Sequence, residues 1–256
     1  MWGEIVTGYE PQFDFPEREG QPARPWLLAS VPRTGSTYVS HLLWASGCLG
    51  APLEYLNFEP AGPYGFASRS PARQTELWRS ALRRRTSPNG VFGLKAFPLQ
   101  FGDLNAANPG LVNEVMRTLF PRGLWPRVVQ LRRRDRTAHA ISYARALLSG
   151  IWRKEQEPED RPEPEYSDVA MNHALRLIDE QEAIWNKMFN DLRIEPLVLW
   201  YEDILDTPAA APDAVARYLG VDLDPAAAVA VPAIERQSQA GARAWAERHA
   251  LSSRRS

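Results

Sequence analysis

Apolar residues fall along this chain in short runs, separated by stretches where they recur every three or four positions. Pro25 to Val31 is an apolar run bounded by proline, which predicts a buried first strand. After a turn at 32–36, Val39, Leu42, Leu43 and Ser46 repeat at three and four. That spacing predicts a helix from about Thr37 to Ala45, ended by Gly47. Residues 50–68 hold Pro and Gly too densely for a long helix. Ser70 and Pro71 suit N-cap and first helical position, so a helix should run through ARQTELWRSALRRR. Val91–Ala96 reads as the second strand, Gly110 to Phe120 as a helix, and Arg127–Arg132 as the third strand. Asp135 can cap a helix to about Ile151, and a long amphipathic helix runs to about Asp191. Pro196–Tyr201 reads as the fourth strand, and a helix including Asp213 to Leu219 ends at Gly220. Strands alternating with helices predict a three-layer α/β domain, its central, mainly parallel sheet flanked by helices. Ligands in such sheets bind beyond the carboxyl ends of the strands.

The remaining segments set the domain organisation. Residues 1–24 are polar, with scattered Gly, Pro and Glu, and read as an N-terminal arm. Residues 25–250 read as one domain and 251–256 as a tail. Within the domain, RKEQEPEDRPEPEYSD (153–168) is too acidic and Pro-rich to bury a core and reads as a linker or lid. The formal net charge is −1, which lacks the basic excess of a nucleic-acid partner. Lysine occurs only at Lys95, Lys154 and Lys187 among 30 basic residues. That Arg dominance fits either a GC-rich genome or bidentate anion recognition. The single cysteine, Cys48, excludes an internal disulfide and reads as a buried thiol. With no leader-like N-terminus and no apolar window of membrane-spanning length, the expectation is a cytoplasmic protein.

The turn after the first strand carries the strongest chemical signal. Pro32-Arg33-Thr34-Gly35-Ser36-Thr37 joins a strand end to a helix N-terminus, where unpaired backbone N–H groups and the helix dipole favour an anion. It lacks the Lys that follows the last Gly in nucleoside-triphosphate loops. An ordinary strand–helix turn capped by Ser36 or Thr37 is the competing reading. Val128 to Trp152 repeats the arrangement: a strand, a run of Arg, then a helix, with Arg134 just past the strand and Ser142 eight residues on.

This pair of motifs resembles the PAPS-dependent sulfotransferases, PAPS being the sulfate donor 3′-phosphoadenosine 5′-phosphosulfate. In that family a turn of the type x-P-[KR]-[ST]-G-[ST]-T grips the 5′-phosphosulfate, and an Arg followed eight residues later by Ser binds the 3′-phosphate. GAPLEYLN, VFGLKAF, LRRRDRTAHAISYARALLSGIW, IEPLVLWYED and ERQSQAGARAWAERH, in that order over roughly residues 25 to 250, are similar to the bacterial trehalose sulfotransferase family. Arg33 stands where the cytosolic branch has Lys, and that branch's C-terminal Arg-Lys-Gly segment is missing.

The resemblance implies a P-loop-like sulfotransferase fold and an enzyme that moves a sulfuryl group from PAPS to a hydroxyl of a carbohydrate, glycolipid or small natural product, releasing PAP. It implies donor contacts from Pro32, Arg33, Thr34, Gly35, Ser36, Thr37, Arg134 and Ser142, with Arg236 and Gln237 closing over the nucleotide. Glu54 falls on the family's proposed catalytic glutamate, and its apolar neighbours should raise its pKa toward a useful range; a salt-bridged loop glutamate is the alternative. Glu59 and His41 are the next candidate bases. Arg33 would stabilise the leaving group. Lys95 is either an active-site cation or part of a structural ion pair. Trp44, Tyr55, Tyr64, Phe66, Trp152 and Tyr166 are candidates for the acceptor site or the core. No metal site, no nucleic-acid partner and no transmembrane segment are expected, and a homodimer is left open. A small-molecule kinase on a similar fold and a noncatalytic PAP- or glycan-binding protein remain as rival functions.

Overall fold

The computed structural model describes residues 6–153, 156, 162–234 and 239–253. Four parallel strands form the sheet: β1 (Arg24–Ala29), β2 (Val91–Ala96), β3 (Val128–Arg132) and β4 (Leu197–Trp200), in the order β2-β1-β3-β4. Their register pairs Leu28 with Lys95, Ala29 with Ala96 and Gln130, and Arg132 with Trp200. The strands therefore end together at one edge. From β1 the chain crosses to β2 on one side, and from β2 it crosses to β3 on the other. This leaves a crevice at the carboxyl end of β1, where the two loops diverge.

Alternation along the strands makes the three layers. Leu27, Ala29, Phe92, Leu94, Ala96 and Val128 face one core. That core is completed by Trp78 of α2 (Pro71–Arg84), Val115 of α4 (Pro109–Leu119), Ile141 of α5 (Arg136–Ser149) and Trp185 of α6 (Asp168–Leu192). Trp26, Leu28, Val129 and Leu131 face the other core, covered by Val39 and Leu43 of α1 (Ser36–Ala45) and by Val215 and Leu219 of α8 (Ala210–Leu219). Lys95 alternates out of the first core, and this turns it toward the N-terminus of α1.

Cap chemistry sets the helix ends. Ser70 Oγ accepts from Arg73 N at 3.3 Å, Asp135 Oδ1 from Ala138 N at 2.8 Å, and Ser167 Oγ from Ala170 N at 3.2 Å. Gly150 and Gly220 take left-handed φ values of 70° and 65° at the ends of α5 and α8. Three helices go beyond the sequence reading. Gln100 Oε1 accepts from Phe97 N at 3.0 Å and starts α3 (Pro98–Ala107). The fourth strand stops at Trp200, because Tyr201 opens α7 (Tyr201–Asp206). The C-terminal stretch forms α9 (Gln239–Ser253), seated on α5 with Trp245 buried.

The N-terminal segment is packed against the domain rather than standing off as an arm. Arg85, 4% exposed, donates to the carbonyls of Gly8 (2.7 Å), Tyr9 (2.9 Å) and Glu10 (3.1 Å) and pairs with Asp14 at 2.9 Å. Cys48 is a buried free thiol. Among the described residues, no helix is long and apolar enough to cross a membrane.

Candidate active site

The turn from β1 to α1 forms the floor of a cavity of about 840 Å³ at the carboxyl edge of the sheet. Its backbone is unusual at two positions. Gly35 has φ 82°, and Arg33 has φ 72°, a left-handed conformation that costs a non-glycine residue roughly 1–3 kcal/mol. A Cβ on Gly35 would lie 2.2 Å from the Tyr201 ring, so glycine is required by space as well as by φ. Thr34 Oγ1 donates to Val31 O at 2.9 Å, which leaves the hydroxyl-bearing Ser36 and Thr37 to open α1. Among the described residues, no side chain caps that helix end. Its first N–H groups face the cavity with the fixed partial positive charge of a helix N-terminus. Behind the turn, His139 Nε2 lies 2.8 Å from Pro32 O. Burial lowers the pKa of His139 to about 4, with Arg133, Arg136 and Arg33 nearby, so the neutral ring donates to that carbonyl and holds the turn in place.

Arginines gather on one side of the turn. Arg33 Nε donates to Ser142 Oγ at 3.0 Å, and the same guanidinium reaches the carbonyl of Trp152. The loop is thus tied to the middle of α5 and to the segment just beyond its C-terminal end. Arg133 lines the cavity and donates to Arg33 O at 3.3 Å. Arg134 does not line it. Its guanidinium forms a two-pronged pair with Asp203, with Nη2 to Oδ2 at 2.8 Å, and its side chain is half exposed. Of these two arginines, Arg133 and not Arg134 lines the cavity that Ser142 also lines, one residue earlier than the eight-residue spacing indicated. The reason lies on α7. Glu202 accepts from the backbone N–H groups of Arg134 (3.0 Å) and Asp135 (3.2 Å). This fixes the turn so that Arg133 points in and Arg134 points to Asp203. Burial alone would raise the pKa of Glu202, but these hydrogen bonds and Arg133 hold it below its ordinary value.

Across the cavity floor, Glu54 is held by four partners. Its Oε1 pairs with Lys95 Nζ at 2.8 Å, and its Oε2 accepts from Asn57 Nδ2 at 2.9 Å and Gln100 Nε2 at 3.0 Å. Its backbone N–H donates to the Tyr9 hydroxyl at 2.9 Å. Lys95, fully buried, also donates to Thr37 Oγ1 at 3.1 Å. One ammonium therefore links the carboxylate to the anion loop. The expected rise in the Glu54 pKa does not occur. Burial pushes it up, but Lys95 and the amides outweigh burial, and the net direction is down. Glu54 is an ionised carboxylate at neutral pH, as a proton acceptor must be. Lys95 pairs with Glu54 beneath the cavity and does not itself line it; burial lowers its pKa, and Glu54 opposes that.

Other candidates separate cleanly. Glu59 lines the cavity, and burial, with Asp103 and Glu54 nearby, raises its pKa. His41 is buried outside the lining, its Nδ1 2.9 Å from Pro232 O, and burial lowers its pKa to about 4. Trp44 and Tyr55 belong to the core, Phe66 is exposed, and Tyr166 packs on Trp245 and His249. Of the six aromatic candidates only Trp152 lines the cavity, whereas Tyr9, Phe97 and Tyr201 do so unannounced. Arg236 and Gln237 lie outside the described residues. So does much of 153–168, but its described end is anchored: Arg145 pairs with Glu163 at 2.7 Å, and Trp245 Nε1 donates to Pro164 O at 2.9 Å. Tyr9, Arg133 and Gln100 are among the lining residues that sequence reasoning missed. Arg133 stood within the run of Arg after the third strand, and Gln100 left a trace as the third helical residue after Phe97-Pro98.

Comparison with known proteins gives a consistent result. The Stf0 sulphotransferase family model matches residues 25–251. A trehalose 2-sulfotransferase of Mycobacterium tuberculosis (strain ATCC 35801 / TMC 107 / Erdman) is 27% identical over 259 residues, covering 88% of this chain and 94% of that protein. One from Mycolicibacterium smegmatis (strain ATCC 700084 / mc(2)155) is 24% identical over 257 residues, covering 88% and 93%. The solved sulfotransferase domain from the curacin biosynthetic pathway superposes with a TM-score of 0.45 at 13% identity, covering 82% of this chain and 77% of that one.

Proposed function

The chain belongs to the Stf0 sulphotransferase family, and from that premise we propose that it transfers a sulfuryl group from PAPS to a hydroxyl of a carbohydrate or related polyhydroxylated acceptor. The observation that carries this reading is the Lys95 ammonium, shared between the Glu54 carboxylate and the Thr37 hydroxyl. It couples a proton acceptor to an anion-holding loop within one cavity.

The residues suit a donor of this kind. PAPS, when bound, supplies a sulfuryl group on a phosphate leaving group. The N-terminus of α1, the hydroxyls of Ser36 and Thr37, and Arg33 would hold its 5′-phosphosulfate, with the buried Lys95 acting from behind Thr37 and with Pro32, Thr34 and Gly35 shaping the turn. Arg133 and Ser142 would hold the 3′-phosphate, with Arg236 and Gln237 remaining proposed nucleotide contacts. Glu54 takes the acceptor hydroxyl's proton as that oxygen bonds to sulfur and the bond from sulfur to the bridging oxygen breaks, that oxygen leaving with the phosphate of PAP. Lys95 and Arg33 offset the negative charge that builds on the departing phosphate. An ammonium bonded to Glu54 makes the carboxylate a weaker base but fixes its direction, and orientation contributes heavily to catalysis.

The acceptor side of the cavity offers Asn57, Glu59, Gln100 and Tyr9, which suits a ligand with several hydroxyls. Trehalose, named for the relatives, is the first acceptor to test. The cytoplasmic setting and a homodimer stay within the proposal.

Transfer from labelled PAPS should be detected with the parent enzyme and fall about 10²–10⁴-fold in kcat for Glu54→Gln, with PAP affinity within a few-fold of the parent. Near-parent turnover by Glu54→Gln would move the base elsewhere, to Glu59 first. Calorimetry should show PAP binding in EDTA. Binding of ATP in preference to PAP, with a magnesium requirement, would replace this reading by the kinase.

A further inference from the structure

The N-terminal segment brings Tyr9 to the acceptor side of the cavity, where the proposed reaction gives its hydroxyl no specific partner. The turn around Tyr9 is built with care. Glu10 Oε1 accepts from Thr7 N and Thr7 Oγ1, each at 2.8 Å, and Glu10 Oε2 accepts from Gly8 N at 2.8 Å. Arg85 clamps the three carbonyls on the other side of the same turn. The ring of Tyr9 is wedged edge-on against Tyr64 (5.3 Å between centroids) and Tyr55 (6.3 Å). Such a setting fixes both the ring and the direction of its hydroxyl.

That hydroxyl accepts the Glu54 backbone N–H at 2.9 Å. Among the described residues its own proton has no acceptor, and Tyr9 lines the same cavity as Glu54, Asn57 and Gln100. A half-buried O–H with one lone pair engaged and its proton unspent is a donor waiting for an oxygen. Burial, with the Glu54 carboxylate beside it, raises the phenol's pKa well above its ordinary value, so it is a donor throughout the working range of pH.

We propose that Tyr9 is an acceptor-positioning residue: its hydroxyl donates to a second oxygen of the acceptor, next to the hydroxyl that Glu54 deprotonates. The inference rests on the sulfuryl-transfer reading and deepens it. It assigns the site an acceptor with neighbouring oxygens, a polyol or sugar rather than a simple alcohol. It also makes the N-terminal segment part of the substrate site. A hydrogen bond to the neighbouring oxygen fixes the rotation of the acceptor about the reacting centre, which a single contact at the attacked hydroxyl does not.

The test is Tyr9→Phe, which keeps the ring packing and removes only the hydroxyl. Sulfate transfer is measured from labelled PAPS to trehalose and to cyclohexanol, which has one hydroxyl and no neighbouring oxygen. Loss of the hydrogen bond to Glu54 N acts on both acceptors alike, so it cancels in the ratio of their kcat/KM values. That ratio should fall about 2- to 13-fold toward cyclohexanol, the worth of one neutral hydrogen bond. The change should appear chiefly in the KM for trehalose, while PAP affinity, which also reports the fold, stays within two-fold. Equal losses on both acceptors, or no loss, would overturn the proposal and leave Tyr9 as a support for Glu54. A parent enzyme that transfers sulfate to neither acceptor would instead count against the sulfuryl-transfer reading itself.

Discussion

Lys95→Met isolates the interaction on which the site is built. Methionine keeps most of the length and removes the ammonium. In the parent that ammonium is fully buried, 2.8 Å from Glu54 Oε1 and 3.1 Å from Thr37 Oγ1. Breaking one partner out of a buried pair costs about 3–5 kcal/mol, because the other charge stays behind. Glu54 retains Asn57 and Gln100 as donors, so the lower end, ~3 kcal/mol, is expected here. For a chain of this size that is a fall in Tm of roughly 6–12 °C. The pH profile separates this from general damage. The Glu54 pKa in the folded parent lies below its ordinary value, because Lys95 and the amides outweigh burial. Its ion pair is therefore fully in force above the ordinary carboxylate range and is lost as pH falls through the depressed value. Activity that needs the ionised carboxylate follows the same limb. Without Lys95, burial is less opposed, so the acid limb of kcat moves to higher pH. Thermal unfolding at pH 7 and a kcat profile on the acid side check both halves. A Tm within about 2 °C of the parent, together with an unmoved acid limb, would refute the coupling of Glu54 to Lys95.

The basic turn after β3 and the glycine of the anion loop make two further predictions. Arg133→Ala should weaken PAP about 10- to 150-fold, the worth of one charge-assisted contact, and weaken adenosine 5′-phosphosulfate far less. Arg134→Ala, which removes the exposed pair with Asp203 and the guanidinium over the Trp200 ring, should change either affinity by less than about three-fold; titration calorimetry of both variants decides which arginine meets the 3′-phosphate. Gly35→Ala combines a left-handed φ, worth about 1–2 kcal/mol against alanine, with a Cβ 2.2 Å from the Tyr201 ring. It should lower PAP affinity at least about ten-fold, and unchanged affinity would show that the turn does not meet the donor.

The layers of the fold were legible from local pattern. A run such as Trp26-Leu27-Leu28-Ala29, apolar on both faces, belongs only to a strand covered on both sides, and both cores confirm it. Ser70-Pro71, Asp135 and Gly220 mark helix ends because capping is a matter of neighbouring residues. The helices that went unread had weaker local marks. Tyr201 reads as a continuation of Leu-Val-Leu-Trp, and only the Gly35 turn beneath its ring shows that the chain must turn there. The sequence pattern of the anion loop, and the family that it resembles, were likewise written in contiguous residues.

What the sequence determined by itself was therefore the alternation of strands and helices and the Pro32–Thr37 turn at a helix N-terminus, with Glu54 and Lys95 marked as candidates. What only the tertiary structure decided was which side chains meet. Glu54 lowers rather than raises its pKa because a lysine forty-one positions on, alternating out of a neighbouring strand, reaches it. Arg133 rather than Arg134 enters the cavity because Glu202, from a helix beyond the fourth strand, holds the turn between them. Tyr9 stands beside Glu54 because Arg85 binds the carbonyls of a segment more than seventy residues upstream. Each of these rests on a contact between distant stretches of chain. Periodicity and capping report only on residues within a turn or two of one another, so such contacts leave no mark in the local pattern.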